Sequence, residues 1–550
     1  MPTVAAHVAA ALARHLDQVF GLMGNGNAHL LDALLRENRV TYTAVRHEAG
    51  AVVAADAHYR VSGRIAAATT TYGAGFTNAL TPLAEAAQAR TPLILVVGDQ
   101  PTPGPRPWDV DQIALASAVG VRTYTVGRLD AVGTTVIAIE HALAHRTPVV
   151  LALPYDMPKL DAGPIPEVPE PRLPQPIAPS PDAREAIRRA ARALADAERP
   201  VLLAGRGAWL AGAGAALGRL AAASGAVTAT TALGRGLFPD EARDLGVTGG
   251  FGAPGAMEAV RSADVVVAFG ASLTQFTMRF GELLDPHAQL VQVDIAPTAT
   301  HPRVGAYVRG DARVVAELLA DDVAALGAGS AGRAWPGVDA SALRAQVVED
   351  EFAPDGRLDP RAVAARIGEL LPEDRVVVSD GGHFIAWANM FWPVASPGRM
   401  VMVGTAYQSI GLGWPSVAGA AQAAPDAAVV LTTGDGGGLM ALADLETAVR
   451  TAGGRGIAVV WNDGAYSAEV NLYGLQGLHE GPMRIPTVDF AALGRAAGAE
   501  AVVVERLADL DRLATWAAEP AGTRRFLVLD LRISGDVIAP YQHEVIRVNS

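Results

Sequence analysis

Residues 428–462 read AVVLTTGDGGGLMALADLETAVRTAGGRGIAVVWN, and they indicate the architecture more strongly than any other stretch. An apolar run, Ala428–Leu431, predicts a strand that ends at Thr432-Thr433. A glycine-rich turn and one amphipathic helix follow, and Gly453-Gly454 ends that helix. A second apolar run, Ile457–Val460, predicts the next strand. Such a β–α–β unit is right-handed, with its two strands parallel and adjacent or nearly so.

Two polar side chains lie where these strands end. Asp435 belongs to Gly434-Asp435-Gly436-Gly437-Gly438, and Asn462 ends the second strand. Ligands bind at this edge of parallel sheets, so we expect the two side chains to lie close together. Carboxylate and amide oxygens suit Mg²⁺, and the glycines and the helix N-terminus suit a phosphate. A glycine-rich turn that only joins strand to helix is the alternative, but the strand context and Asn462 favour a ligand site.

Strands alternate with helices along the whole chain, which predicts largely parallel sheets covered by helices on both faces. The apolar runs Ile65–Thr70, Val265–Ala268 and Arg375–Ser379 each end at small or polar residues. That pattern is typical of a doubly wound sheet. A chain of 550 residues is also too long for one core. We therefore predict the α/β class, with three doubly wound domains and mainly parallel sheets.

Two stretches of unusual composition predict the domain boundaries. Prolines are dense over 164–182, which predicts a semi-rigid, extended linker. Gly, Ala and Ser dominate the start of a second predicted linker, 327–357. The domains are then expected at 1–163, 183–326 and 358–550.

Composition and charge exclude several classes of function. The formal net charge of −13 repels nucleic acid and anionic lipid, so neither is an expected partner. The chain has no cysteine, which excludes disulfides, thiolate metal sites and cysteine nucleophiles. The first residues do not resemble a secretory signal, and no apolar run of about 18 residues predicts a membrane span. We expect a soluble cytoplasmic protein.

The segment around Asp435 and Asn462 resembles the diphosphate-binding motif of thiamine-diphosphate-dependent enzymes, in which Gly-Asp-Gly is followed one helix and one strand later by asparagine. The resemblance implies that Asp435, Asn462 and the main-chain carbonyl of Gly464 hold Mg²⁺. It also implies that Gly436 and Gly437 contact the diphosphate. Family members often carry Asn-Asn where this chain has Trp-Asn, so only the ligating position is kept.

A second resemblance lies far upstream. Val45-Arg46-His47-Glu48-Ala49-Gly50-Ala51 resembles the family's His-Glu segment, which implies that Glu48 contacts the cofactor aminopyrimidine. Proton exchange at that ring activates the cofactor, and a buried carboxyl with a raised pKa suits this exchange. Taken alone, Glu48 is better explained as a charge favoured at a helix N-terminus. The two motifs together favour a catalytic role.

Three further segments are similar to family segments around the cofactor. Tyr72–Asn78 resembles the glycine turn near the reacting carbon, which places Gly73 there. The segment from Ser409 to Pro415 resembles the one that bends the cofactor, so Ile410 would lie between its rings. The carbonyl of Gln408, where many relatives have Gly, would bind the aminopyrimidine. His383 belongs to a loop that resembles another diphosphate contact, although a lone histidine is more often structural.

The resemblance covers most of the chain, and the middle third is similar to acetolactate-synthase-type relatives. It implies the order pyrimidine-binding, central and diphosphate-binding domain. It also implies catalytic sites between subunits, so Glu48 would serve a partner's cofactor in a homodimer or homotetramer. Such relatives often bind FAD in the central domain. Here 270–274 and 295–297 depart from their flavin-contacting segments, so FAD is not favoured.

The sequence indicates the reaction less clearly than it indicates the cofactor. Asn25 and Gln112 occupy places where relatives contact substrate or intermediates, but an ordinary turn residue and a helix cap are equally good interpretations. The loop 98–103 lacks the adjacent histidines of pyruvate-decarboxylase-type enzymes. Residues 463–469 lack the Met and Trp that housekeeping acetolactate synthases place there, which counts against acetolactate synthesis itself.

We predict a carboligase acting on 2-oxo acids, in which decarboxylation is followed by addition to a second carbonyl. A non-oxidative 2-oxo acid decarboxylase that releases an aldehyde is the alternative within enzymes. A cofactor-binding relative that has lost catalysis is the non-enzymatic alternative. A nucleotide-dependent oxidoreductase is disfavoured, because Gly205-Arg206-Gly207-Ala208-Trp209-Leu210 lacks the third glycine of the dinucleotide fingerprint.

Overall fold

Three parallel sheets in series form the architecture of the chain. In a computed structural model, which describes residues 1–36, 40–327, 335 and 338–549, each sheet has six strands. Every strand pair in these sheets is parallel. The predicted α/β class with three doubly wound, mainly parallel sheets is confirmed. No helix within the described residues is long and apolar enough to cross a membrane.

The first sheet has the strand order β2-β1-β3-β4-β6-β5 and carries helices on both faces. Strands β1, β3, β4 and β6 are fully buried, as expected for a parallel sheet covered on both sides, whereas β2 and β5 at the two sheet edges are partly exposed. The elements are α1 Val4–His15, β1 Gln18–Gly21, α2 Ala28–Arg36, β2 Thr41–Ala44, α3 Glu48–Ser62, β3 Ala67–Thr70, α4 Ala74–Asn78, α5 Leu80–Gln88, β4 Leu93–Asp99, α6 Gln112–Ala118, β5 Arg122–Thr125, α7 Ala131–His145 and β6 Pro148–Pro154.

The proline-rich segment between the first two sheets runs along the surface of the first. Over 164–180, all of which the structure describes, the chain forms no helix or strand. It is tied down by an ion pair between Arg14 and Glu170 and by a hydrogen bond from the Arg172 N–H to Glu140. The segment therefore has no regular secondary structure, which is compatible with its many prolines.

The second sheet has the strand order β12-β11-β10-β7-β8-β9. Helices α8, α10 and α12 cover one face, and α11 and α13 cover the other. The elements are α8 Pro181–Asp196, β7 Pro200–Ala204, α9 Arg206–Leu210, α10 Gly214–Ser224, β8 Val227–Thr230, β9 Asp244–Val247, α11 Pro254–Arg261, β10 Val265–Phe269, β11 Gln289–Asp294, β12 Ala306–Arg309, α12 Ala312–Ala325 and α13 Ala340–Leu343.

Part of the predicted second linker packs on this central sheet. Trp335 and Ala340 are buried in its core, and Arg344 donates hydrogen bonds to the carbonyls of Glu241 and Asp244. This part of 327–357 is therefore fixed to the domain that precedes it. Residues 328–334 and 336–337, where the glycine-rich start of the linker was predicted, lie outside the described residues.

The third sheet has the strand order β14-β13-β15-β16-β18-β17, with β15 and β16 as neighbours at its centre. The elements are α14 Pro360–Leu370, β13 Arg375–Ser379, α15 Ile385–Phe391, β14 Met400–Met402, α16 Gly413–Ala423, β15 Ala428–Gly434, α17 Asp435–Met440, α18 Leu445–Ala452, β16 Gly456–Asn462, α19 Ser467–Glu469, α20 Phe490–Ala496, β17 Glu500–Val504, α21 Asp511–Ala518, β18 Leu527–Arg532 and α22 Pro540–Asn549.

The crossover between β15 and β16 differs from the single helix that the sequence predicts. Helix α17 ends at Met440, a 3-10 turn spans Leu442–Asp444, and α18 starts a new helix. The carboxylate of Asp444 accepts the main-chain N–H of Arg46 at 2.8 Å. A contact with the first domain therefore lies at the break between the two helices. The helical periodicity of the sequence does not indicate this break.

Helices α3 and α16 join the first and third domains. They cross so closely that a Cβ built on Gly419 would lie 2.0 Å from the carbonyl oxygen of Ala54. Glycine is required at this crossing because any side chain would push the two main chains apart. The first and third domains of one chain are thereby packed directly on each other.

Candidate functional site

Asp435 lies at the carboxyl end of β15, on the first residue of α17, with its carboxylate buried. Its two oxygens accept the main-chain N–H groups of Gly436 and Gly464 at 2.8 and 2.9 Å. Burial, and then the nearby carboxyl of Asp463, raise the pKa of Asp435 to about 7. A divalent cation at this carboxylate would relieve both effects.

Asn462 ends β16 beside Asp435, because Trp461 pairs with Gly434 in the sheet. Its Nδ2 donates to the carbonyl of Val488 and to Asp530 Oδ1, both at 2.9 Å. These two bonds set the orientation of the amide. The other amide atom, Oδ1, is buried and has no hydrogen-bond partner among the described residues. A buried acceptor without a partner is unfavourable, and a metal ion at Oδ1 would supply one.

Gly464 follows two residues later with φ +77°, a backbone conformation that favours glycine. Its carbonyl accepts the N–H of Ile485 at 2.8 Å and keeps a second lone pair. The three predicted metal ligands therefore lie together at one edge of the third sheet. The described residues contain no cluster of three or more acidic or histidine side chains that would form another kind of metal site.

The glycines after Asp435 are packed tightly on both sides. A Cβ on Gly436 would lie 2.5 Å from the Tyr466 ring, and one on Gly437 would lie 2.7 Å from Asp380 Oδ2. Packing alone therefore requires glycine at both positions. The contact of Gly436 and Gly437 with a diphosphate stays a prediction.

The loop 404–412 lies against this site. Gln408 has φ +58°, which is unusual for a residue with a side chain, and Ile410 is exposed at the tip. A Cβ on Gly411 would lie 2.6 Å from Cβ of Met440 at the end of α17. The predicted cofactor-bending loop and the metal-ligand loop are thus neighbours, as the resemblance implies.

Asp380 connects the two loops. Its Oδ1 accepts the N–H groups of Gly381, Gly411 and Leu412, and its Oδ2 accepts the hydroxyl of Thr433. Burial raises the pKa of this carboxyl, and the hydrogen bonds oppose that rise. Asp380 therefore holds the end of loop 404–412 against the start of α17.

His383 is buried, and its Nε2 accepts the main-chain N–H of Ala539 at 3.0 Å. Burial lowers the pKa of His383 to about 4, so the ring is neutral. Because Nε2 accepts, the proton lies on Nδ1. The ring is thus bound to the C-terminal segment, which also contributes the ring of Tyr541. Its predicted contact with the diphosphate would have to come from Nδ1–H.

Glu48 begins α3 at the edge of the first sheet, where it is half-buried. Its Oε2 accepts the side-chain amide of Asn78 at 3.0 Å, and its Oε1 faces the turn at Gly75. In the single chain the carboxylate is therefore held within its own domain. A fully buried environment for Glu48, as the sequence predicts, requires another surface to cover it.

The other residues predicted in the first domain lie on interlocked turns at the same edge. The Gln112 side chain accepts the Gly73 N–H at 2.9 Å and donates to the Gly98 carbonyl at 2.9 Å. Its amide thus braces the turn at Gly73, a role that the sequence did not indicate. Asn25 is exposed at the tip of its turn, whereas Asn27 supports that turn from inside. Catalytic roles for Gln112 and Asn25 stay predictions.

Both edges carry exposed apolar side chains. The first-domain edge presents Met23, Trp108, Val110 and Ile113, and the third-domain edge presents Tyr407, Ile410 and Met440. Large exposed apolar side chains in groups mark surfaces that meet another surface. Each half of the predicted site is therefore bordered by an exposed apolar surface of the kind that subunit contacts bury.

Asp530 and Asp380 are functional candidates that the sequence analysis did not single out for a role. Asp530 orients Asn462 and also accepts the N–H of Phe490 at 2.9 Å. Burial raises the pKa of Asp530. Asp530 lies within β18 and Asp380 directly follows β13, and both strands are mostly apolar and buried. That signal, one acidic residue in a buried strand context, could have identified both.

Comparison with known proteins identifies the family. Three models of thiamine pyrophosphate enzymes match in order: the N-terminal TPP binding domain over residues 2–117, the central domain over 187–319 and the C-terminal TPP binding domain over 380–531. Together they match well over half of the chain. The chain belongs to the thiamine pyrophosphate enzyme family. Thiamine pyrophosphate is the same compound as thiamine diphosphate, so the predicted family and cofactor are confirmed.

Among individual proteins, the large subunit of acetolactate synthase isozyme 3 from Escherichia coli is 27% identical over 542 residues, covering 94% of this chain and 92% of that protein. A probable acetolactate synthase large subunit from Methanocaldococcus jannaschii is 28% identical over 450 residues, covering 78% and 75%. A Rhodococcus jostii 4-hydroxybenzoylformate decarboxylase structure superimposes with a TM-score of 0.80 at 21% identity, covering 97% of this chain and 99% of that one. This last likeness concerns the fold.

The donor set of this thiamine pyrophosphate enzyme fits the family's cofactor and Mg²⁺. Asp435 supplies an anionic oxygen, and Asn462 supplies a neutral oxygen that is buried and unpartnered in the described part of the chain. Hard oxygen donors of this kind match the preference of Mg²⁺, which commonly shares its coordination sphere with phosphate.

Proposed function

We propose that this chain is a thiamine-diphosphate-dependent carboligase that acts on 2-oxo acids and resembles acetolactate synthases. The observation that carries the proposal is the pair formed at adjacent strand ends by the buried Asp435 carboxylate and by Asn462 Oδ1, which no described residue contacts with a hydrogen bond. The acetolactate synthases similar over most of the chain support carboligation. When bound, the thiazolium of the cofactor supplies an electron sink for decarboxylation of a 2-oxo acid.

The chain's own residues would bind and orient that cofactor. Asp435, Asn462 and the Gly464 carbonyl would hold Mg²⁺ against the diphosphate. Ile410, exposed on loop 404–412, would support the bent cofactor, and the Gln408 carbonyl would accept a hydrogen bond from the aminopyrimidine. Glu48 would exchange a proton with the aminopyrimidine ring nitrogen.

We further propose that the working unit is a homodimer or a homotetramer. Glu48 is only half-buried in one chain, and the exposed apolar side chains at both site edges need a covering surface. A partner subunit that brings its third-domain edge to this first-domain edge would supply that cover. It would also exclude water, which strengthens hydrogen bonds and charge interactions at the reacting atoms.

A substrate panel tests the reaction. The protein is supplied with thiamine diphosphate, Mg²⁺ and a series of 2-oxo acids, with and without aldehyde or ketone acceptors. CO₂ release and product mass are recorded together. We expect a coupled hydroxyketone or hydroxy-oxo acid as the main product. Aldehyde as the sole product with every acceptor would instead establish the decarboxylase alternative, and no CO₂ from any acid would contradict both reactions.

A variant of Glu48 tests the catalytic assignment. We expect Glu48→Gln to bind thiamine diphosphate and Mg²⁺ while turnover falls by roughly a factor of 100 or more, because a positioned acid–base group contributes about that much. Glu140→Gln is the matched control, since Glu140 is also half-buried in the first domain but lies on α7. Equal turnover in Glu48→Gln and the wild type would refute the assignment.

A further inference from the structure

A buried cluster of charged side chains joins the first domain to loop 404–412 of the same chain. It consists of Asp56 and Arg60 on α3 and Glu85 on α5, and all three are buried. The Arg60 guanidinium donates to both oxygens of Asp56 and, at 3.0 Å, to Glu85 Oε1. Burial alone would lower the pKa of Arg60, but the two carboxylates outweigh burial and raise it. Arg60 is therefore held protonated between the two acidic side chains.

The cluster reaches the third domain at two main-chain atoms. Arg60 Nη1 donates to the Met402 carbonyl at 2.8 Å, where β14 ends. Glu85 Oε2 accepts the N–H of Tyr407 at 2.7 Å. The two contacts lie on either side of the turn at Gly404, which has φ +105°. They therefore clamp the first half of loop 404–412 from the first domain.

Of the two contacts, the hydrogen bond between the Tyr407 N–H and Glu85 says more about how the loop is held. Among the described residues, it is the one hydrogen bond that ties the main chain of 405–408 to another segment. The side chains of Tyr407 and Gln408 themselves are exposed. The far end of the loop is held separately by Asp380. Directly after the bonded N–H comes Gln408, whose positive φ orients the carbonyl that the proposed function assigns to the cofactor.

We propose that Glu85 is a positioning residue for the cofactor: through the Tyr407 N–H it holds loop 404–412 in the shape that presents Gln408 and Ile410. This inference rests on the proposed cofactor role of the loop. A buried carboxylate is a strong acceptor for a main-chain N–H, and such charge-assisted bonds are shorter and stronger than neutral ones. Arg60 places a positive charge beside Glu85 in this buried cluster and donates a hydrogen bond to its Oε1.

Three variants separate positioning from simple stability. Glu85→Leu removes the acceptor while keeping an apolar volume, and Glu85→Gln keeps a neutral acceptor oxygen. Asp56→Asn damages the same buried cluster but leaves the bond between Glu85 and Tyr407 in place. Hydrogen–deuterium exchange of the peptide covering 400–412 is measured in cofactor-free protein, together with thermal unfolding. The dissociation constant for thiamine diphosphate is then measured with Mg²⁺ in excess.

In Glu85→Leu we expect the amide hydrogens of the loop to exchange faster than in the wild type. We also expect this variant to bind the cofactor about tenfold more weakly, in line with the loss of one charge-assisted hydrogen bond. Glu85→Gln should fall between Glu85→Leu and the wild type. Asp56→Asn should lose thermal stability with loop exchange and cofactor affinity near wild type.

The inference is overturned if both Glu85 variants show wild-type loop exchange and cofactor affinity, or if Asp56→Asn loosens the loop as much as Glu85→Leu. Should Glu85→Leu fail to fold, Glu85→Gln alone decides the same comparison. A wild-type protein that fails to bind the cofactor would contradict the proposed function instead. The loop exchange in cofactor-free protein would still report on Glu85.

Discussion

At the scale of single residues, the most informative atom of the site is Oδ1 of Asn462, which has no hydrogen-bond partner in the described part of the chain. We expect Asn462→Ala to lower the affinity for thiamine diphosphate in the presence of Mg²⁺ by roughly tenfold or more. The variant removes one of the two side-chain oxygens that would hold Mg²⁺, and Mg²⁺ in turn would hold the diphosphate. Titration followed by intrinsic fluorescence measures this affinity. The variant also leaves Asp530 without the amide that it binds, so stability should fall as well.

Asn389→Ala is a control for the loss of a buried asparagine. Asn389 is fully buried on α15 and donates to the Ile385 carbonyl, away from the metal ligands. It should lose stability without a comparable loss of cofactor affinity. If both variants bind the cofactor equally well, Asn462 is not a metal ligand.

His383 gives the folded protein a sensitivity to acid. Its pKa is lowered by burial to about 4, below its ordinary value of 6.5. Between these values the unfolded chain binds a proton that the folded chain excludes, so stability falls as pH falls through this window. From pH 6.5 to pH 5 the loss from this residue is roughly 1–2 kcal/mol. The contribution becomes constant about one pH unit above 6.5.

Chemical denaturation at several pH values tests this prediction. We expect His383→Gln to flatten the dependence of the unfolding free energy on pH between 5 and 6.5. A residual slope should remain, because burial also lowers the pKa of His58 to about 4. His29→Gln, at an exposed position on α2, is the control. An unchanged slope in His383→Gln would contradict the assignment.

The residues of the site were predictable to the extent that they lie in short local motifs. Asp435 and Asn462 follow from strand ends and glycines near in sequence. Asp530 and Glu85 do not, because each acts on a partner far along the chain: Asp530 on Asn462, and Glu85 on Tyr407. Only the folded packing brings such pairs together. The bracing role of Gln112 is hidden from the sequence for the same reason.

At the scale of elements, buried strands and long helices could be predicted from the sequence. Helix α3 begins at Glu48, where the sequence allows a helix N-terminus, and the apolar runs of the third domain became β13, β15 and β16. Edge strands such as β9, with its mixed burial and irregular register, carry no comparable apolar signal. The break between α17 and α18 was missed because a contact with the first domain lies at that point.

The crossing of α3 and α16 leads to a prediction at this scale. A methyl group at Gly419 would lie 2.0 Å from the Ala54 oxygen and 2.9 Å from the His58 nitrogen. We therefore expect Gly419→Ala to lower the free energy of unfolding by about 1–3 kcal/mol or more, because two main chains must separate. Thermal or denaturant unfolding measures the effect.

Gly133→Ala is the matched control for a glycine inside a helix. Gly133 lies on α7 with nothing within 4 Å of the added carbon. There alanine should stabilise the protein slightly, by roughly 0.5–1 kcal/mol, because it restricts the unfolded chain and favours helix. A stabilising Gly419→Ala would show that the two helices are not in such close contact.

At the scale of the whole molecule, association is the property that the proposed function requires. We expect Ile113→Glu to shift the protein toward monomer and to weaken cofactor binding together. Ile113 is 51% exposed beside Gln112, and Ile137, at 54% exposed on α7, is the matched control. A charge in a buried subunit contact is strongly unfavourable, whereas a charge in water is tolerated. Light scattering across a dilution series measures the association.

A monomeric wild type that binds the cofactor at full strength would refute the shared site. Equal weakening by Ile113→Glu and Ile137→Glu would place the subunit contact elsewhere. The predicted boundaries, with linkers at 164–182 and 327–357, also stand as proposals. Limited proteolysis should cut first within 164–180, where the chain has no helix or strand to protect it.

The parallel pairing of every described strand also bears on how the protein reaches this state. Parallel neighbours cannot be joined by a tight hairpin, so each pair forms only after a crossover segment has closed. Contacts between residues distant along the chain make folding slow, and exposed strand edges then persist long enough to meet other chains. Recovery after dilution from denaturant should therefore fall steeply as protein concentration rises.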